Sequence, residues 1–223
     1  MKSIHFYFSD VVMTVGIMAV GVLSASAQTT LYSNTANDLA TRFNTETSEV
    51  GNQVILAGGL PAKITSFSFE YWGVNFSGGE QAQVRFYAND GVNWDSTFKM
   101  PGSLLFDSTP FAVSATSKSL LIFDTDFGSG LLVPNSFTWT VQFSGLGGGA
   151  TAGVDLFSPP TVGNTLTSYW INNGSSWGLR TSTNSMNINF GAEFAGTSVP
   201  EPGVYALSGL GLALMFWFRS KRR

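Results

Sequence analysis

The chemistry open to this chain is bounded first by what it lacks. It has no cysteine, and its one histidine is His5. Disulfides, thiolate metal sites and cysteine nucleophiles are therefore out of reach. His5 lies in the N-terminal segment read below as a leader, so the mature chain would hold no histidine. Ser-His-Asp catalysis and His-ligated zinc or copper go with it. Carboxylates remain as the acid–base groups: Glu70, Asp90, Asp95, Asp107, Asp124, Asp126, Asp155 and Glu193. A glycosidase needs two of them facing each other across a sugar, roughly 5–10 Å apart. Glu70 and Glu193 fall on the polar sides of strand patterns, where a carboxylate is ordinarily solvated, and no local signature supports a hydrolase. No catalytic residue is assigned and the chain is not read as an enzyme. A carboxylate-dependent glycoside hydrolase is the weakest alternative.

Two other groupings could bind. Asp124-Thr125-Asp126-Phe127-Gly128 places oxygen ligands two apart before a glycine, which suits calcium. Ser129 follows and no glutamate closes the loop, so capping of a tight turn by Asp124 and Asp126 is the competing role. Calcium is the sole cofactor considered. Trp94 lies in the polar stretch Gly91–Ser96, and Trp170 and Trp177 flank Ile171–Ser176. Indole rings beside Asn and Asp suit stacking on a sugar, since they join apolar area to a polar edge. The competing role is packing, because Trp is highly buried on average.

The elements that must position these residues read as strands. Phe137-Thr-Trp139-Thr-Val141-Gln-Phe143 alternates with period two and puts four large apolar residues on one face. Thr65–Tyr71, Val84–Ala88 and Ile188–Phe194 repeat the pattern, and Val54–Leu56, Leu104–Asp107, Leu120–Phe123, Val154–Phe157 and Tyr169–Ile171 are weaker examples. Asn89-Asp90-Gly91, Ser77-Gly78-Gly79, Gly145–Gly149, Pro159-Pro160 and Asn172-Asn173-Gly174 supply the turns. About nine strands are expected, and Ala36–Asn44 is the one short stretch of the body that could be helical. Many short strands between glycine-rich turns point to an all-β body, an antiparallel β-sandwich or jelly roll over residues 28–197.

Composition agrees. Hydrophobic residues make up 43% and aromatic residues 14%, but charged residues only 11% against roughly 25% in an average soluble protein. From Gln28 to Pro202 there are six basic and thirteen acidic residues, so nothing offers the clustered cations that nucleic acid requires.

The two ends differ from the body. Lys2 precedes an apolar run from Val11 to Leu23, then Ala25-Ser26-Ala27 and Gln28. A basic start, a short apolar region and a small-residue site make a secretory signal helix over 1–27, cut between Ala27 and Gln28. At the other end, residues 198–223 hold Pro200-Glu201-Pro202, an apolar run over 204–218 and the basic end 219–223. The prolines keep their segment extended, as a processing enzyme would need. Fifteen residues of helix span roughly 22 Å, short of a ~30 Å hydrocarbon core, so local thinning would complete a transmembrane helix. The basic end would stay cytoplasmic.

Pro200, Glu201 and Pro202, the apolar run and the basic end, in that order and together with the N-terminal signal, resemble the PEP-CTERM sorting signal of Gram-negative bacteria. The resemblance covers Val199–Arg223 and implies export through the Sec machinery, transient anchoring in the inner membrane and processing by an exosortase-type membrane protease. It implies delivery to the cell envelope, cell surface or extracellular matrix. The expected role of the body is structural or adhesive, with extracellular polysaccharide as a partner; a lectin-like glycan-binding module is the alternative. A plain membrane anchor remains open for the tail.

Overall fold

The computed structural model describes residues 28–124, 126–181 and 187–199. The signal segment, and the Pro-Glu-Pro tail with its apolar run, lie outside them. The strands are β1 (Thr29–Ser33), β2 (Asp38–Asn44), β3 (Glu49–Ile55), β4 (Ala62–Val74), β5 (Gln81–Ala88), β6 (Leu104–Asp107), β7 (Phe111–Ala112), β8 (Thr116–Phe123), β9 (Leu131–Val133), β10 (Ser136–Ser144), β11 (Thr151–Phe157), β12 (Asn164–Thr165), β13 (Ser168–Asn172), β14 (Trp177–Thr181) and β15 (Ala192–Ser198). No helix occurs among the described residues.

Two antiparallel sheets form. In the first, the long β4 is flanked on one side by β15 and β11 in line, and on the other by β8 and β9 in line. Beyond β15 lies β1, and beyond β11 lies β2. The second sheet runs β14-β13-β3-β10-β5-β6, with β12 beside β3 and β7 beside β5.

The alternation seen in the sequence decides what faces inward. Phe67 and Phe69 of β4 meet Phe86 of β5 and Trp139 of β10 across the sandwich, with Phe67 centroids 5.0 and 5.3 Å from those two rings. Phe194 of β15 adds a ring 4.6 Å from Phe67. All five are fully buried. Burying a large side chain contributes about 1.5–3 kcal/mol, so this aromatic centre is the main source of cohesion.

Three expectations need correction. Ala36–Asn44 is not helical: β2 runs from Asp38 and pairs with β11. Leu39 and Phe43 have helical spacing, but Ala40 adopts φ 51° with its N–H donated to Asp38 Oδ1 (2.7 Å), and Phe43 packs against the core as a strand residue. The described residues form fifteen strands rather than nine, because β1, β2, β7, β9, β12 and β14 are short or polar. Ile188–Phe190 is not regular strand: Phe190 makes one bridge to Leu156, and β15 starts at Ala192. Ile188 and Phe190 still face the core.

Besides its bridge to Leu156 and the Asn34 amide on the Phe190 carbonyl (3.2 Å), the strap at Ile188–Phe190 is held from the second sheet by one side chain. Asn52 on the inner side of β3 is fully buried. Its amide donates to the carbonyls of Ile188 (2.9 Å) and Ser168 (3.3 Å), and its Oδ1 accepts the Phe190 N–H (2.6 Å). Gly145, at φ 72° in the β10–β11 turn, could not be replaced: a Cβ there would lie 2.4 Å from the Gly79 carbonyl oxygen.

Candidate functional site

The outer face of the second sheet gathers polar and aromatic side chains in rows. Register aligns Trp170 (β13), Gly51 (β3), Thr140 (β10), Arg85 (β5) and Asp107 (β6) across five strands, so the four side chains of the row share one side, with Gly51 contributing none between Trp170 and Thr140. Next to this row stands Glu49, the first residue of β3, with only 5% of its surface exposed. Its carboxylate accepts from Thr140 Oγ1 (2.7 Å), Tyr87 OH (3.0 Å) and Asn172 Nδ2 (3.5 Å), and lies 3.3 Å from Arg85 Nη1. Arg85 also reaches Asp107 (3.3 Å) and Gln83. Burial, then the Glu49 charge, raises the Tyr87 phenol pKa, so it stays a neutral donor. The network joins β3, β5, β6, β10 and β13 through charge-assisted bonds, which are stronger than neutral ones.

This face is concave. Tyr87 on β5 and Trp177 on β14 have ring centroids 5.3 Å apart, although four inter-strand steps of about 4.8 Å separate their strands. Side chains alone do not span that distance, so the sheet curls toward them.

Trp94 comes from the excursion between β5 and β6. Asn93 bridges Lys99, Trp94 N–H donates to Phe98 O (2.9 Å), and Met100 N–H donates to Val92 O (3.0 Å). Asp95 caps the tip by accepting the N–H groups of Thr97 (2.7 Å) and Phe98 (2.8 Å), while Asp90 closes the base on Ser103. This small hairpin leans Trp94 edge-to-face on Trp170, centroids 6.0 Å apart at 89°. Of the three tryptophans singled out in the sequence, Trp94 is 43% exposed, Trp177 is half-buried and Trp170 is fully buried. Trp170 thus supports Trp94 and presents no face of its own to a ligand.

The carboxylates divide differently. Glu193 is half-buried and accepts from Ser33 Oγ (3.1 Å). Glu70 is not the solvated residue its strand pattern suggests. It sits one step beyond the Tyr71–Val154 pair of β4 and β11, beside Asp155, on the outer face of the first sheet. Lys118 Nζ lies 2.8 Å from Glu70 Oε2 and 2.8 Å from Asp38 Oδ2, over the Phe157 ring. Hydrogen bonds to Asp38 and Glu70 raise the Lys118 pKa, and burial pushes the Asp155 carboxyl up from its ordinary value. Arg42 lies 4.0 Å from Asp155 and covers the Trp72 ring. The carboxylate pair is engaged by these two cations on its own chain.

Asp124 and Asp126 are exposed in the turn between β8 and β9, which is anchored by buried Phe127. Among the described residues no group of three metal-ligating side chains forms. Ala27 and Pro200, Glu201 and Pro202 lie outside the described residues, and Gln28 is exposed. Sequence reasoning missed Glu49, Arg85 and Tyr87. Their signal was weak: Glu49 opens a strand whose apolar pattern is broken by Gly51, Asn52 and Gln53. Comparison with protein-family models, curated proteins and solved structures found no match to this chain.

Proposed function

We propose that this chain is an exported protein of the cell envelope or extracellular matrix, with a structural or adhesive β-sandwich body. It leaves through the Sec machinery on its signal segment. Residues 198–223 then act as a PEP-CTERM-type tail, an apolar helix holding the chain in the inner membrane while an exosortase-type protease reads Pro200-Glu201-Pro202. What supports this reading in the body is the pairing of its first and last strands, with Thr29 opposite Gly196. The segments before Gln28 and after Val199 therefore leave from one end of the sandwich, where both can be cut without opening a sheet. The intact mass of protein recovered from the cell surface and medium tests this. The expected species lacks Met1–Ala27 and the tail beyond the Pro-Glu-Pro segment. A C-terminus still at Arg223 overturns the processing reading.

A second reading, glycan binding by the body, is favoured by Trp94 standing exposed against Trp170, whose cross-strand row also holds Thr140 and Arg85. An aromatic platform beside fixed polar groups is how a protein holds a sugar ring. Titrating the surface-recovered protein with the host's extracellular polysaccharide should quench tryptophan emission. Trp94→Ala should abolish binding while leaving the melting temperature within about 2 °C, since this exposed residue has little core role. Unchanged binding by that variant rules this face out.

A further inference from the structure

Exposed sheet edges are hazards that proteins block with short strands, charges, prolines and bulges. Most edges here are blocked. β1 and β2 each carry a register shift, with Ala40 at φ 51° kinking β2. β6 also has a shift and ends in Asp107; β7 has two residues after Pro110; β14 has five residues including Gly178 and exposed Arg180.

β8 has none of these guards along its central stretch. It has eight residues, pairs among the described residues only with β4, and is regular from Ser119 to Phe123 without Gly, Pro or charge. On its outer face Leu120 is 49% exposed and Ile122 59%. These two stand opposite the outward residues Glu70 and Ser68 of β4. Lys118, beside Glu70, precedes them on that face, and period two would bring Asp124, the exposed residue just past the end of the strand, after them. The order is cation, apolar, apolar, anion, which is complementary to itself when reversed.

We propose that β8 is an assembly edge: it pairs antiparallel with β8 of a second copy of this chain, centred on Leu121. In that register Leu121 faces Leu121, Leu120 faces Ile122, and Lys118 faces Asp124 of the other copy. The free backbone groups of both edges are satisfied and one sheet continues through two molecules. Lys118 is already held by Asp38 and Glu70, so Asp124 arrives as a further carboxylate beside a fixed ammonium. The charges thus set the register, while the ladder and the apolar pair hold it. Sliding the register by two residues loses this match either way: one direction sets Lys118 opposite Ile122, the other sets Leu120 opposite Asp124. The inference rests on the structural reading of the body, and it fails separately, because processing and surface retention are measured by mass and fractionation.

The chain has no cysteine, so introduced thiols report without background. In cells displaying the whole chain, Leu121→Cys should form a disulfide-linked dimer under mild oxidation. Leu120→Cys and Ile122→Cys should cross-link when co-expressed at least about tenfold more than either does alone, a preference worth about one decade of equilibrium constant. Ile122→Lys should abolish cross-linking at position 121 while leaving near-ultraviolet dichroism intact. Three results would overturn the proposal. One is a Leu121→Cys chain that stays monomeric. Another is cross-linking no greater than from Thr109→Cys, an exposed control outside β8. The third is a monomer whose Leu120 and Ile122 mediate only lipid binding.

Discussion

Removing the Glu49 carboxylate is the most direct perturbation of the concave face. In Glu49→Ala, Tyr87 and Asn172 lose their acceptor, Thr140 keeps only the Arg85 carbonyl (3.3 Å), and Arg85 loses one of its two carboxylate partners. Breaking a buried ion pair costs about 3–5 kcal/mol, chiefly through the charge left behind. Arg85 keeps Asp107 at 3.3 Å, and its side chain is 18% exposed, so the lower end applies, about 3 kcal/mol. For a body of this size each kcal/mol moves the melting temperature by roughly 2–4 °C, giving a fall of roughly 6–12 °C. Glu49→Gln retains an acceptor for Thr140 and Tyr87 and should lose about half as much. The assay is thermal unfolding followed in the near ultraviolet, where the Tyr87–Trp177 pair contributes a signal that should weaken in the alanine variant before global melting. A fall under about 2 °C for Glu49→Ala would refute the view that this carboxylate ties β3 to β5, β10 and β13.

Other outcomes follow from the same structure. Asp155→Asn should raise stability at neutral pH, since burial lifts the native carboxyl above its ordinary value; the gain should vanish in melts below that value, where Asp155 is protonated in both states. Glu80 accepts the N–H groups of Ser77 (2.7 Å) and Gly78 (2.8 Å), which holds its pKa down to about 2. Its contribution is present above the ordinary value of 4.5 and is lost as pH falls toward 2, so Glu80→Gln should destabilise the protein at pH 7 and scarcely at pH 2. Gly153→Ala should prevent native folding or cost several kcal/mol in denaturant titration, because its Cβ would fall 1.9 Å from the Phe43 carbonyl oxygen. Phe67→Ala should cost about 3–5 kcal/mol in the same titration, as a fully buried ring at the aromatic centre.

The amphipathic strands were legible because their period-two faces record which sheet surface is buried. Phe137–Phe143 and Thr65–Tyr71 fall within β10 and β4, and their large apolar residues lie in the core. What escaped notice is stabilised by polar atoms whose partners are remote in sequence. Asn52 reads as a surface residue until Ile188 and Phe190, well over a hundred positions away, are brought to it. Glu49 likewise finds Tyr87, Thr140 and Asn172 only through the sheet order. Trp94 and Trp170 belong to separate loops and strands, and only the hairpin at 90–103 shows that one supports the other. Local pattern also misled at Asp38–Asn44, where a left-handed residue and pairing with β11 override helical spacing.

The pairing of β1 with β15 bears on how the molecule would carry mechanical load. Thr29 and Gly196 sit at the same end of an antiparallel ladder, next to where the chain enters and leaves the body. A pull applied across both ends would peel that ladder open one hydrogen bond at a time, the geometry of a zip. A pull between the tail end of β15 and an edge on the far side of β4, such as β8, would instead set the β15–β4 ladder in shear, with its seven aligned pairs resisting together. The same fold is thus compliant when tugged from its two termini and stiff when strained sideways through its sheet.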